Sequence, residues 1–172
     1  TARHVGTVVH RELQQVARHG SAYHTADTPP RRRWRLELAE LGVPEPLRTA
    51  AVERVAEAVA RTLADQRGRW LLDPAHRESR SELALTGRAD GEIVRVVVDR
   101  SFVDEAGNRW IVDYKTSRHE GAGLEEFLDR EQERYRPQLE RYARLLRRLG
   151  PEPVRLGLYF PLLSAWREWP AG

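Results

Sequence analysis

The chain is 172 residues long, enough for one domain with a buried core. It has no Cys, which excludes a disulfide framework, a thiolate zinc site and an iron–sulfur cluster. The net charge is a mild +3, no apolar run is long enough to cross a bilayer, and no signal peptide is evident, which together point to the cytoplasm.

The chain also lacks Met, and it opens Thr1-Ala2-Arg3-His4 directly in a helical pattern. It therefore reads as a segment excised from a larger protein or trimmed after expression. Over 3–19, Val5, Val9, Leu13 and Val16 recur at three- and four-residue steps, which predicts a helix stopped at Gly20. Residues 21–32 read as a polar loop containing Pro29-Pro30, followed by a short helix over 33–41 that ends at Gly42. Pro46 opens a longer, Ala-rich helix to about Gln66.

The texture then changes. Trp70-Leu71-Leu72 reads as a short strand before Asp73-Pro74, and residues 79–86 alternate weakly. Residues 92–103 are β-branched, 104–108 (DEAGN) form a turn, and 109–115 read as the next strand, so a β-hairpin is expected. A long helix over 124–149 carries Leu124, Leu128, Tyr135, Leu139, Tyr142, Leu146 and Leu149 on one stripe, and Gly150-Pro151 ends it. Residues 154–160 read as a strand, with a last one over 164–169. There is no internal repeat. The expected fold is a single α/β domain over 1–172, with an N-terminal helical portion and a mixed sheet.

Lys115 is the only lysine among 29 basic residues. An arginine-rich composition makes one retained lysine a pointer to chemistry that needs an amine, because a guanidinium stays protonated whereas an ammonium pKa shifts readily. The single lysine follows Tyr114, so there is no Walker A loop; the dinucleotide glycine fingerprint and the Gly-x-Ser-x-Gly elbow are missing too. On a strand, Asp113 and Lys115 point to one face while Trp110, Val112 and Tyr114 point to the other. Asp99 interrupts a valine run on the preceding strand. Asp99 and Asp113 flank the same turn at different distances from it, and they converge if the register or a bulge allows. Two converging carboxylates beside one lysine suit a hard cation such as Mg²⁺. The alternatives are an Asp113–Lys115 ion pair and an Asp99 pair with Arg95 or Arg100. Glu82 is a further acidic candidate. Arg31-Arg32-Arg33 with Arg35, and the arginines from Arg134 to Arg148, suit either a phosphate backbone or a solvated helix face. Trp34 suits either base stacking or the core.

The stretch Gly91…Val98-Asp99-Arg100…Asp104…Gly107…Ile111-Val112-Asp113-Tyr114-Lys115-Thr116 resembles the core of PD-(D/E)XK nucleases. More narrowly, it resembles the RecB-type nuclease domain at the C-terminus of UvrD/PcrA-like helicases. Gly6-Thr7-Val8-Val9-His10 resembles that family's N-terminal helix motif, and Tyr135-Arg136-Pro137-Gln138-Leu139-Glu140-Arg141-Tyr142 its downstream helix motif. Gln138 and Tyr142, four apart, share a helix face.

The resemblance implies a restriction-endonuclease-like core and a divalent-metal-dependent DNA nuclease, an exonuclease acting in repair or recombination with a helicase region in the same polypeptide or complex. It implies a Mg²⁺ or Mn²⁺ ion on His10, Asp99, Asp113 and the Tyr114 carbonyl. Lys115 would act on the attacking water, with Gln138 and Tyr142 positioning the phosphate or the lysine. Arg31, Arg32, Arg33 and Arg136 would track the DNA backbone. No membrane partner is implied. The rival readings are a nuclease-like module that binds DNA or regulates a helicase without cutting, and an interaction module whose charges are ion pairs only.

Overall fold

A computed structural model describes residues 1–20, 23 and 30–172. The loop expected from residue 21 lies largely outside the described residues. The chain divides into two compact units, and the helical one comprises Thr1–Pro74, Lys115–Arg118 and Phe160–Ser164. It holds α1 (Ala2–His19), α2 (Arg31–Glu40), α3 (Glu45–Ala64) and α4 (Gln66–Leu71).

The stripe on α1 is core: Val5, Val8, Val9, Leu13 and Val16 are all buried, and α1 packs on α2 and α3. Glu12, on the same helix, is only 2 % exposed. It accepts hydrogen bonds from Arg33 at 2.5 Å and from the Trp34 indole N–H at 2.9 Å, which fixes α2 on α1. Trp34 is therefore a core side chain, 1 % exposed. The strand expected at Trp70-Leu71-Leu72 is helix instead: Trp70 and Leu71 lie in α4 and Leu72 caps it. The Asp65 carboxylate accepts the Gly68 N–H at 3.1 Å and starts that helix, and a three-residue apolar run cannot by itself distinguish helix from strand. Gly6 has a specific use in this unit. A Cβ there would lie 2.9 Å from the Thr116 hydroxyl, so glycine lets the Lys115–Arg118 segment approach α1.

The second unit comprises Ala75–Tyr114, His119–Tyr159 and Ala165–Gly172. It contains β1 (Arg77–Ala89), β2 (Glu92–Val103), β3 (Arg109–Tyr114), α5 (Leu124–Leu146), β4 (Val154–Phe160) and β5 (Ala165–Pro170), with the sheet in that strand order. β1–β2 and β2–β3 are antiparallel and β3–β4 is parallel, with α5 as the crossover. The expected mixed α/β sheet, of restriction-endonuclease-like class, is what forms. β1 is longer than its weak alternation suggests. It turns into β2 through Asp90 and Gly91, both at positive φ, as a two-residue hairpin requires. Gly87 on β1 admits α5 closely, since a Cβ there would lie 2.6 Å from Leu145 Cδ2. No helix of the described residues is long and apolar enough to cross a membrane.

The β2–β3 turn is held by Asp104. Its carboxylate accepts the Asn108 N–H at 2.9 Å and the Trp110 indole N–H at 2.7 Å. Burial pushes this carboxyl up, but the hydrogen bonds from Trp110 and Asn108 outweigh burial and hold it below its usual range. A depressed folded-state pKa stabilises the protein above the unfolded value and ceases to do so as pH falls through the folded one. Thermal unfolding midpoints measured from pH 5 to pH 2 are therefore expected to fall less steeply in Asp104→Asn than in wild type. Gly157 on β4 gives a second expectation, because a Cβ there would lie 2.1 Å from the Trp166 ring. Gly157→Ala should lower stability by about 1–3 kcal/mol in urea unfolding, the usual range for overpacking.

Candidate active site

All six residues of β3 are buried. Its pairing with β2 matches Arg100 to Val112 and Ser101 to Ile111, and one step further along the same register Asp99 faces Asp113. The two acids are equally far from the turn, which corrects the expectation of unequal distances, and no bulge is needed to bring them together. On the other side of β2, the pairs Ser81–Arg100 and Leu83–Val98 bracket Glu82 and set it opposite Asp99. Three acids thus stand in a row across three strands, and ligand oxygens of Glu82 and Asp99 lie within 4.8 Å of each other.

Directly opposed like charges destabilise a sheet, and nearly buried ones do so more because water screens them less. Asp99 is 9 % and Asp113 is 6 % exposed, while Glu82 is open to solvent. Asp99 Oδ2 accepts the Tyr114 backbone N–H at 2.8 Å, so the acid is anchored to the end of β3. Glu82 is held at φ 50°, a left-handed conformation that costs about 1–2 kcal/mol in a non-glycine residue. This row of carboxylate oxygens, with one member on the open side, fits a hard divalent cation that binds through one or two carboxylates and keeps part of its water.

Tyr114 turns its ring to the other face of the sheet. Burial pushes its phenol far above the usual value; Arg100 opposes this, and Asp99, Glu82 and Asp113 add to it. The phenol is therefore neutral throughout the working pH range. Arg100 is itself 2 % exposed and donates to the Ser81 hydroxyl at 3.3 Å. Arg95, the other partner considered for Asp99, has no ion pair among the described residues. Lys115 is half-buried and directly follows β3, and its neighbour Thr116 is the residue that approaches Gly6. His10 is half-buried on α1, one turn beyond Gly6.

Gln138 donates to the Tyr142 hydroxyl at 2.6 Å, so the structure joins this pair on α5. Leu145 of the same helix meets Gly87, which places α5 on the sheet face of Val98, Val112 and Tyr114, opposite the acids. Of the arginines expected on DNA, Arg31 is ion-paired with Glu53, Arg33 with Glu12, and Arg136 with Glu133. Arg136 also lies 5.0 Å over the Trp169 ring. Arg32 is exposed and has no ion pair among the described residues. The residue that sequence underrated is Glu82. The only signal for it was the alternation over 79–86, blurred by the left-handed Glu78 and Glu82 and by a register shift between Arg77 and Arg80.

Compared with known proteins, residues 1–165 match the PD-(D/E)XK nuclease superfamily. No curated protein matches the chain. Among solved structures, the crystal structure of SSO0001 aligns with 98 % of this chain and 77 % of that one at 14 % identity and a TM-score of 0.33.

If the acid row takes a cation, the ion stabilises the folded state. Mg²⁺ or Mn²⁺ at about 100 times its Kd should add about 2.7 kcal/mol, read as a raised unfolding midpoint. Asp99→Ala and Asp113→Ala should each remove most of that rise. An equal rise in the variants would show that the ion binds elsewhere.

Proposed function

Because the chain belongs to the PD-(D/E)XK nuclease superfamily, we propose that it hydrolyses DNA phosphodiester bonds in a divalent-metal-dependent reaction. The observation that carries this reading is the acid row of Glu82, Asp99 and Asp113, which ends two residues before the only lysine in the chain.

Asp99 and Asp113 would hold the cation, Mg²⁺ or Mn²⁺, with the Tyr114 carbonyl as a neutral oxygen ligand. His10 is assigned as a further ligand on its helix motif alone, and an imidazole suits Mn²⁺ better than Mg²⁺. When bound, the cation supplies charge neutralisation at a phosphate oxygen and a more acidic water. Lys115 orients the attacking water and stabilises the negative charge that develops on phosphorus-bound oxygens. A compact ammonium is a point charge with three donors on a flexible stem, a shape that a planar guanidinium does not reproduce. The Tyr114 N–H keeps Asp99 aimed along the row. Gln138 and Tyr142 lie on the helix that packs on the sheet face away from the acids, and a positioning role for them is assigned on their helix motif alone. Arg32 is the member of its cluster best able to meet a phosphate, because Arg31 and Arg33 already have acid partners.

On the same resemblance, the reaction is exonucleolytic and leaves 5′-phosphate and 3′-hydroxyl ends. It serves repair or recombination in the cytoplasm, and a UvrD/PcrA-like helicase region supplies the strand.

The test is cleavage of linear and circular, single- and double-stranded DNA with Mg²⁺ or Mn²⁺. Metal-dependent cleavage that disappears in Asp113→Ala supports the reading, and loss of circular substrate would replace exonuclease by endonuclease action. Lys115→Arg should fold like wild type and lose about 10²–10⁴-fold in turnover, the usual scale for a proton-transfer group. Full activity in that variant would remove Lys115 from the chemistry.

A further inference from the structure

The β1–β2 hairpin extends well beyond the acid row. From Glu82 and Asp99 to its tip, the residues on the acids' side of the pleat are Ala84, Thr86 and Arg88 on β1, and Val97, Arg95 and Ile93 on β2. Every one of them is exposed, with Ile93 at 74 % and Val97 at 43 %. The other side of the hairpin behaves differently: Val96 and Val98 are buried, and Gly87 meets α5. Only one face of this wing is covered, and the uncovered face ends at the acids.

Its charge is one-sided. Arg88 and Arg95 have no ion pair among the described residues, whereas Arg31, Arg33, Arg35, Arg109, Arg136 and Arg167 all do. The nearest acids on the wing do not offset them. Glu92 lies on the opposite parity of the pleat, and Asp90, in the turn, is 3.9 Å from Arg144.

We propose that this open face of the β1–β2 wing is a nucleic-acid track, on which Arg88 and Arg95 hold the phosphate backbone that runs toward the acid row. The proposal rests on the nuclease reading and deepens it by naming where the substrate lies. At about 3.4 Å per residue, Arg95 stands about 14 Å from Asp99, or about four nucleotide rises along a stacked strand. The two guanidiniums supply the attraction. Ile93 and Val97 offer apolar surface to the sugars between the phosphates. Contacts of this kind position a backbone and read no sequence.

The test is fluorescence anisotropy of labelled single- and double-stranded oligonucleotides, in EDTA so that nothing is cut, across a range of salt. Both arginines are exposed, so their replacement leaves the core intact. Arg88→Gln/Arg95→Gln should weaken binding about tenfold or more and flatten the log Kd–log salt slope by about 1.4–1.8, because each lost phosphate contact removes about 0.7–0.9. Arg88→Lys/Arg95→Lys should restore both, because a phosphate contact needs only the charge. Wild-type affinity and slope in the glutamine variant would overturn the proposal and leave the wing as a protein-facing surface. Wild-type protein that binds no oligonucleotide would overturn it as well. The nuclease reading stands or falls separately, on metal-dependent cleavage by wild type.

Discussion

The register of three strands is the constraint on which the rest depends. β1, β2 and β3 pair so that Glu82, Asp99 and Asp113 share a row, and side chains alternate faces at every step. A slip of one residue between β2 and β3 would send Asp113 to the Tyr114 face and replace it by a hydrophobic neighbour. Several features oppose that slip. β3 is buried from end to end, Asp104 clasps the turn through Asn108 and Trp110, and Asp99 accepts the Tyr114 N–H. The apolar core thus specifies a polar line that it could not tolerate by burial alone.

That line is electrostatically unfavourable by itself. Two nearly buried carboxylates oppose each other, a third follows, and Glu82 is held in a left-handed conformation. Such local tension persists only where the surrounding structure over-determines it, and a bound divalent cation would relieve it. The same contrast explains the arginines. In the helical unit and on α5 several of them, Arg31, Arg33, Arg35 and Arg136 included, are satisfied by nearby acids, so their number by itself says little about nucleic acid. On the β1–β2 wing they are not, and there the charge is available to a partner.

The hairpin of β2 and β3, the long α5 and the α1 stripe were all legible, because each combines a clear period with turn or stop residues at its ends. Trp70 to Leu72 misread as a strand because the capping carboxylate that makes it helix, Asp65, precedes the apolar run. Gln138 and Tyr142 were legible as neighbours on one helix face, and they are hydrogen-bonded. That α5 lies on the sheet face away from the acids depends on the fit of Leu145 to Gly87, two residues far apart in the chain.

Local pattern alone determined most of the strands and helices, and that a lone lysine directly follows an acid-bearing strand. These are properties of short-range periodicity and residue chemistry. Only the tertiary structure decided that Asp99 stands directly opposite Asp113, that Glu82 joins them, and which arginines already have partners. Those facts depend on pairing register and on side chains distant in sequence, and no period of 2 or 3.6 residues encodes either.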